Sequence, residues 1–141
     1  MKIVDANVLL CAVNPSATDH AVAKRWLDGA LGGGAPVGLA WVVLLAVIRL
    51  TTRPGLFPRS LSVEEAHGLV RHWLDAPSAV LVHPGERHLD LLLGLFEDVG
   101  TAGNLTNDAH LAALALEHGG EVVSFDSDFG RFPQVRWSRP S

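Results

Sequence analysis

Glu121-Val122-Val123-Ser124-Phe125-Asp126-Ser127-Asp128 is the stretch on which the reading of this chain turns. It follows a Gly119-Gly120 helix stop, is apolar at Val122, Val123 and Phe125, and runs into an acid, so a buried strand is expected over 121–125. The same unit opens the chain, where Lys2-Ile3-Val4 runs into Asp5-Ala6-Asn7. Ala79-Val80-Leu81-Val82 is a further short apolar run, and the tail around Val135-Arg136-Trp137 can form a short last strand.

Helical periods separate these runs. Asp19 begins a helix with apolar positions at Val22, Ala23, Trp26, Leu27, Ala30 and Leu31, stopped by Gly32-Gly33-Gly34. Leu39 to Thr52 reads as one helix, apolar nearly all round and therefore buried, ended by Pro54-Gly55. Ser62 and Glu65 form a capping box for a helix to about Asp75. A helix from about Gly85 to Val99 follows, and Thr106 or Asn107 is expected to cap another that runs to His118. Asn14-Pro15-Ser16 reads as a turn. Alternation of strands with helices implies an α/β fold, a mainly parallel sheet covered on both faces. In such sheets ligands bind beyond the carboxyl ends of the strands.

That rule gives the acids their meaning. Asp5 and Asp126 each close an apolar strand, Asp108 falls in the first turn of a helix, and Asp128 lies in the turn after Asp126. Asp108 could serve as a helix-end charge, and Asp126 and Asp128 as turn formers. For Asp5 the sequence offers no turn or cap. Four carboxylates converging on one rim repel one another, and a divalent cation removes the conflict. Hard oxygen donors suit Mg²⁺ or Mn²⁺.

The whole-chain properties set limits. The 141 residues are about the size of one domain, here taken as 1–141, and 48% apolar against 18% charged residues is enough for a real core. The single Cys11 excludes an internal disulfide and has no evident activating partner, so a core role is expected. An acid at Asp5 is incompatible with a secretory leader, and the uncharged run Ala35–Ile48 falls short of the roughly 20 residues a membrane helix needs, so a cytoplasmic protein without a membrane partner is expected. The net charge of −4 argues at first against nucleic acid, but Gly29 to Val63 contains no acid while Arg49, Arg53 and Arg59 fall inside it. These three arginines are the candidates for phosphate contacts. Seven histidines show no zinc-ligand spacing; His110 is read as a partly buried helix residue, and Trp41 as core or dimer surface. A receiver domain needs a late lysine, and none follows Lys24; a haloacid-dehalogenase-type phosphatase needs Asp-x-Asp where Asp5-Ala6-Asn7 stands.

The motifs also resemble a known family. Val4-Asp5-Ala6-Asn7-Val8-Leu9-Leu10 is similar to the opening of PIN-domain nucleases, Asn104-Leu105-Thr106-Asn107-Asp108-Ala109-His110-Leu111 to their third acidic motif, and Ser124-Phe125-Asp126-Ser127-Asp128-Phe129 to their last. The likeness runs nearly end to end and is nearest the VapC toxins of toxin–antitoxin pairs. It implies an α/β/α sandwich, Mg²⁺- or Mn²⁺-dependent cleavage of RNA, a homodimer and a cognate antitoxin. On this resemblance Asp5, Asp108 and Asp126 are metal ligands and Asp128 a ligand or its support. Asn7 and Asn104 would orient the site, with Thr106 or Ser124 behind them. In one respect the chain departs from the family: the usual Glu about three residues before an Arg, here Arg49, is replaced by Ala46. A site of three or four aspartates with weaker metal binding is expected, and a two-metal mechanism is disfavoured. A catalytically weakened module that mainly binds an antitoxin is the alternative reading.

Overall fold

The computed structural model describes residues 1–141, and its centre is one sheet of five strands, all parallel. In chain order the elements are β1 (Lys2–Val4), α1 (Ala6–Val13), α2 (His20–Leu31), β2 (Val37–Ala40), α3 (Trp41–Thr52), α4 (Val63–Leu74) and β3 (Ala79–Val82). They continue with α5 (His88–Val99), a 3-10 turn (Gly103–Leu105), α6 (Thr106–Glu117), β4 (Glu121–Val123), a second 3-10 turn (Ser127–Arg131) and β5 (Trp137–Ser138). The strand order is β3-β2-β1-β4-β5, so the first strand is central. Helices pack as α1 with α2 and α3, α3 with α4, and α5 with α6, which makes the expected layered α/β/α arrangement. None of them is long and apolar enough to cross a membrane.

The apolar stretch 39–52 is not one helix. Val37–Ala40 is a strand inserted between β1 and β3, buried at all four residues, and α3 begins only at Trp41. A strand covered on both faces has no alternation, so its run of apolar residues merges with that of the helix behind it. Gly38 fits this crowded position: a Cβ there would lie 2.5 Å from Ile3 Cδ1 and 3.2 Å from Val82 Cγ1. Nor is α3 buried all round. Val43, Leu44, Val47 and Thr51 face the core, while Trp41 and Leu45 are 45% and 57% exposed.

A second departure lies at the start. Helix α1 begins directly after β1, and Asp5 is its N-cap, accepting a hydrogen bond from Ala6 N at 2.7 Å. Asp5 therefore has a local structural role that its setting in the sequence did not disclose. Helix α6, in contrast, is capped by neither Thr106 nor Asn107; Thr106 is its first residue and donates back to Gly103 O at 2.7 Å. Helix α5 starts at His88 rather than Gly85, and β4 ends at Val123, two residues before the expected limit. The Ser62–Glu65 capping box forms as read, and Gly119, at φ 62°, turns the chain out of α6.

Candidate active site

All strands run in one direction, so their carboxyl ends share one rim, and Asp5 and Ser124 stand there side by side after β1 and β4. Asp5 N donates to Val123 O at 3.0 Å, which continues the ladder up to the rim. Ser124 is fully buried and its hydroxyl is saturated. It donates to Asp5 Oδ2 at 2.7 Å and accepts from Asn7 Nδ2 and Asp126 N, both at 2.9 Å. Asn7 Nδ2 reaches Asp5 Oδ2 at 3.2 Å, and Asn7 Oδ1 accepts from Phe125 N at 3.1 Å. A single fully buried hydroxyl thus ties the start of the chain to the loop that carries Asp126 and Asp128.

Asp126 in turn shapes that loop by accepting from Asp128 N at 2.9 Å. Its carboxylate and those of Asp128 and Asp108 each offer an oxygen within 4.8 Å of the others. At that spacing and a surface-like dielectric, each pair of charges costs roughly 3 kcal/mol. Asp108 comes in from the first turn of α6, and its side chain receives no hydrogen bond from the chain. Burial pushes its pKa from 3.8 up to about 6, and the charges of Asp5, Asp126 and Asp128 add to the effect. The Asp5 carboxyl is also raised, by burial first and by the Asp126 charge as well, against the hydrogen bonds from Ser124 and Ala6 that favour its ionised form. Asp5 flanks the close trio: it shares with Asp108 a narrow cleft of about 70 Å³, also lined by Val42, Ala46, Asn107 and Leu111.

Three carboxylate oxygens at this spacing form a hard, anionic donor set that fits a small divalent cation. Ala46 lies on the cleft wall, so the missing glutamate would have projected into it from α3.

The other expected residues divide. Ser124 and Asn7 hold Asp5 and the Asp126 loop in place. Asn104 is exposed on the 3-10 turn and its side chain makes no hydrogen bond within the chain, while Thr106 serves its own turn. Arg59 is engaged by Glu65, with two contacts of 3.2 Å, and Glu65 is held down at about 2 by Ser62 N–H and Arg59. Arg49 and Arg53 lie at the far end of α3, exposed and without ion pairs. His110 turns from the cleft toward α5, where its Nδ1 lies 2.8 Å from His88 Nε2.

Known proteins share this fold and sequence. A PIN domain model matches residues 2–135. Ribonuclease VapC37 of Mycobacterium tuberculosis is 61% identical over 140 residues, covering 99% of this chain and 97% of the relative. Among solved structures, VapBC2 from Rickettsia felis, bound to a promoter DNA fragment, aligns with a TM-score of 0.73 at 16% identity, over 99% of this chain and 98% of that one. The Mycobacterium tuberculosis toxin VapC20, which cleaves the sarcin-ricin loop, aligns at 0.66 and 20% identity, over 96% of this chain and 99% of that one. The family match and the identity to its relatives make this chain a member of the PIN-domain family, among its VapC ribonucleases.

Proposed function

We propose that this protein is a divalent-metal-dependent endoribonuclease, the toxin of a toxin–antitoxin pair, acting in the cytoplasm. One observation carries the chemistry: Asp108 is half-buried, receives no hydrogen bond, and faces three other carboxylates. An isolated fold gains nothing from such a group, whereas a cation ligand needs its lone pairs free. Asp108, Asp126 and Asp128 would hold Mg²⁺ or Mn²⁺, with Asp5 closing the site from the β1 side. When bound, the cation supplies Lewis acidity to the scissile phosphodiester and to the attacking water. Ser124 keeps Asp5 and the Asp126 loop in register, and Asn7 fixes Phe125 N, so the ligands meet the cation already oriented. With Ala46 on the wall, the chain offers donors for one cation better than for two.

RNA as substrate is supported by the names of the relatives, an antitoxin partner by the VapBC complexes among the structural neighbours, and a homodimer by family habit. Purified protein with Mn²⁺ should cut structured RNA, and Asp108→Asn should not; equal cleavage by both would overturn the nuclease reading. Ala46 also motivates the second reading, an antitoxin-binding module with little cleavage. Retained antitoxin binding without turnover by the wild type would favour that one.

A further inference from the structure

We infer that Arg139 is a phosphate-binding residue of this site, holding the RNA backbone beside the Asp126 end of the acidic cluster; the inference rests on the nuclease reading above. β5 pairs in parallel with β4, Val122 with Trp137 and Val123 with Ser138. Ser124 N donates to Ser138 O at 3.0 Å, so Arg139 leaves β5 on the same carboxyl rim that carries Asp5, Ser124 and Asp126. Its guanidinium is tethered there, with Nη2 donating to Phe125 O at 2.6 Å, the carbonyl directly before Asp126.

Place and charge together mark this arginine: like Arg49 and Arg53 it has no ion pair, but it stands on the acidic rim. Lys2, Lys24, Arg59 and Arg71 are each paired with an acid. Arg139 has no carboxylate within 4.0 Å, although it stands on a rim with four aspartates, and it is exposed. Its partner is a neutral carbonyl, so its full charge and the rest of its five N–H donors remain available. A phosphodiester approaching four carboxylates meets repulsion that one divalent cation only partly cancels. A fixed guanidinium offers the planar, two-pronged donor geometry that phosphate oxygens accept. Arg136, three residues earlier, provides the contrast: it stands at the opposite end of β5 and donates to Gly119 O at 3.3 Å, away from the acids.

The test separates this role from a tether that merely shapes the Asp126 loop. Binding of a fluorescent RNA hairpin is followed by anisotropy in Ca²⁺ over a range of KCl, and cleavage kinetics in Mn²⁺. For Arg139→Ala the slope of log K against log salt should fall by roughly 0.7–0.9, and KM should rise about tenfold with kcat within about twofold. Arg139→Gln keeps a donor for Phe125 O but no charge and should behave like the alanine variant, while Arg139→Lys should keep most of the slope. Arg136→Ala should match the wild type. A wild-type slope in Arg139→Ala, or a wild-type Arg139→Gln, overturns the inference. The salt slope reads phosphate contact whether or not the RNA is cut, so it can fail while the Asp108→Asn test succeeds, and the reverse.

Discussion

Helix α6 carries two clusters of ionisable groups, and they are built on opposite terms. At its first turn Asp108 meets Asp5, Asp126 and Asp128, all of one sign, and no donor from the chain reaches it. On the side turned to α5, His110 and Glu117 meet His88 in a chain of matched partners. Glu117 accepts from Gly85 N at 3.2 Å, and His88 Nδ1 stands 3.3 Å from its Oε2. The carboxylate favours a proton on His88 Nδ1, and in the neutral ring His88 Nε2, 2.8 Å from His110 Nδ1, then accepts from it. Burial first, and the His88 ring next, lower the pKa of His110, against the charge of Glu117, which raises it. One cluster is complete within the fold; the other is complete only with something added. Perturbed groups on the same helix can therefore be told apart by whether their hydrogen bonds close.

The contrast can be broken most sharply at Asp108. Asp108→Asn should lower RNA cleavage roughly 10³-fold, the several kcal/mol that a misplaced cation forfeits, while the melting temperature of chelated protein stays equal or rises. A fall in that melting temperature would show that the acid helps the fold. His88→Ala should do the reverse. Leaving Glu117 and His110 without their shared partner should cost about 3 kcal/mol of stability in urea unfolding, with kcat of the folded fraction within about twofold.

Ser124→Ala sits between the two clusters in kind, since it removes one hydroxyl that serves both fold and site. About a tenfold loss of activity with weaker Mn²⁺ dependence is expected from titrations of rate against metal. The smallest effect is with pH. The Asp108 carboxyl titrates at about 6 when folded and near 3.8 when unfolded, so between these values the native state holds more protons. Stability of chelated protein should therefore fall as pH rises from 4 to 6, by about 1 kcal/mol once water screening of a half-exposed group is allowed for. Asp108→Asn should flatten that part of the melting curve, and Mn²⁺ should bind more weakly below pH 6.

Much of this was legible in the residues because the signals were local. The strand at Lys2–Val4, the capping box at Ser62 and the glycine stop after α6 each depend on a few neighbours. Asp5 and Asp126 could be placed on one rim because a parallel sheet puts all strand ends there, and Asp108 because its helix α6 leads back to the start of β4. What escaped depended on the fold as a whole. β2 was hidden because a doubly covered strand and a half-buried helix share one apolar run. Helix α1 was hidden because its cap, Asp5, is also a candidate site acid, and that reading drew attention from the cap. Arg139 could not be placed until the direction and register of β5 were known, and Arg59 looked free until Glu65 served both the helix cap and the guanidinium.

The pairing of β1 with β4 has a consequence in time. Asp5 and the Ser124 hydroxyl that steadies it are 119 positions apart, whereas its other donors, Ala6 N and Asn7 Nδ2, are close neighbours in the chain. During synthesis Asp5 is made 119 residues ahead of Ser124, and it gains its hydroxyl partner only when the segment of Ser124, Asp126 and Asp128 has emerged as well. The acidic site of a nascent chain is thus incomplete until the segment of Ser124, Asp126 and Asp128 is free to pair beside β1.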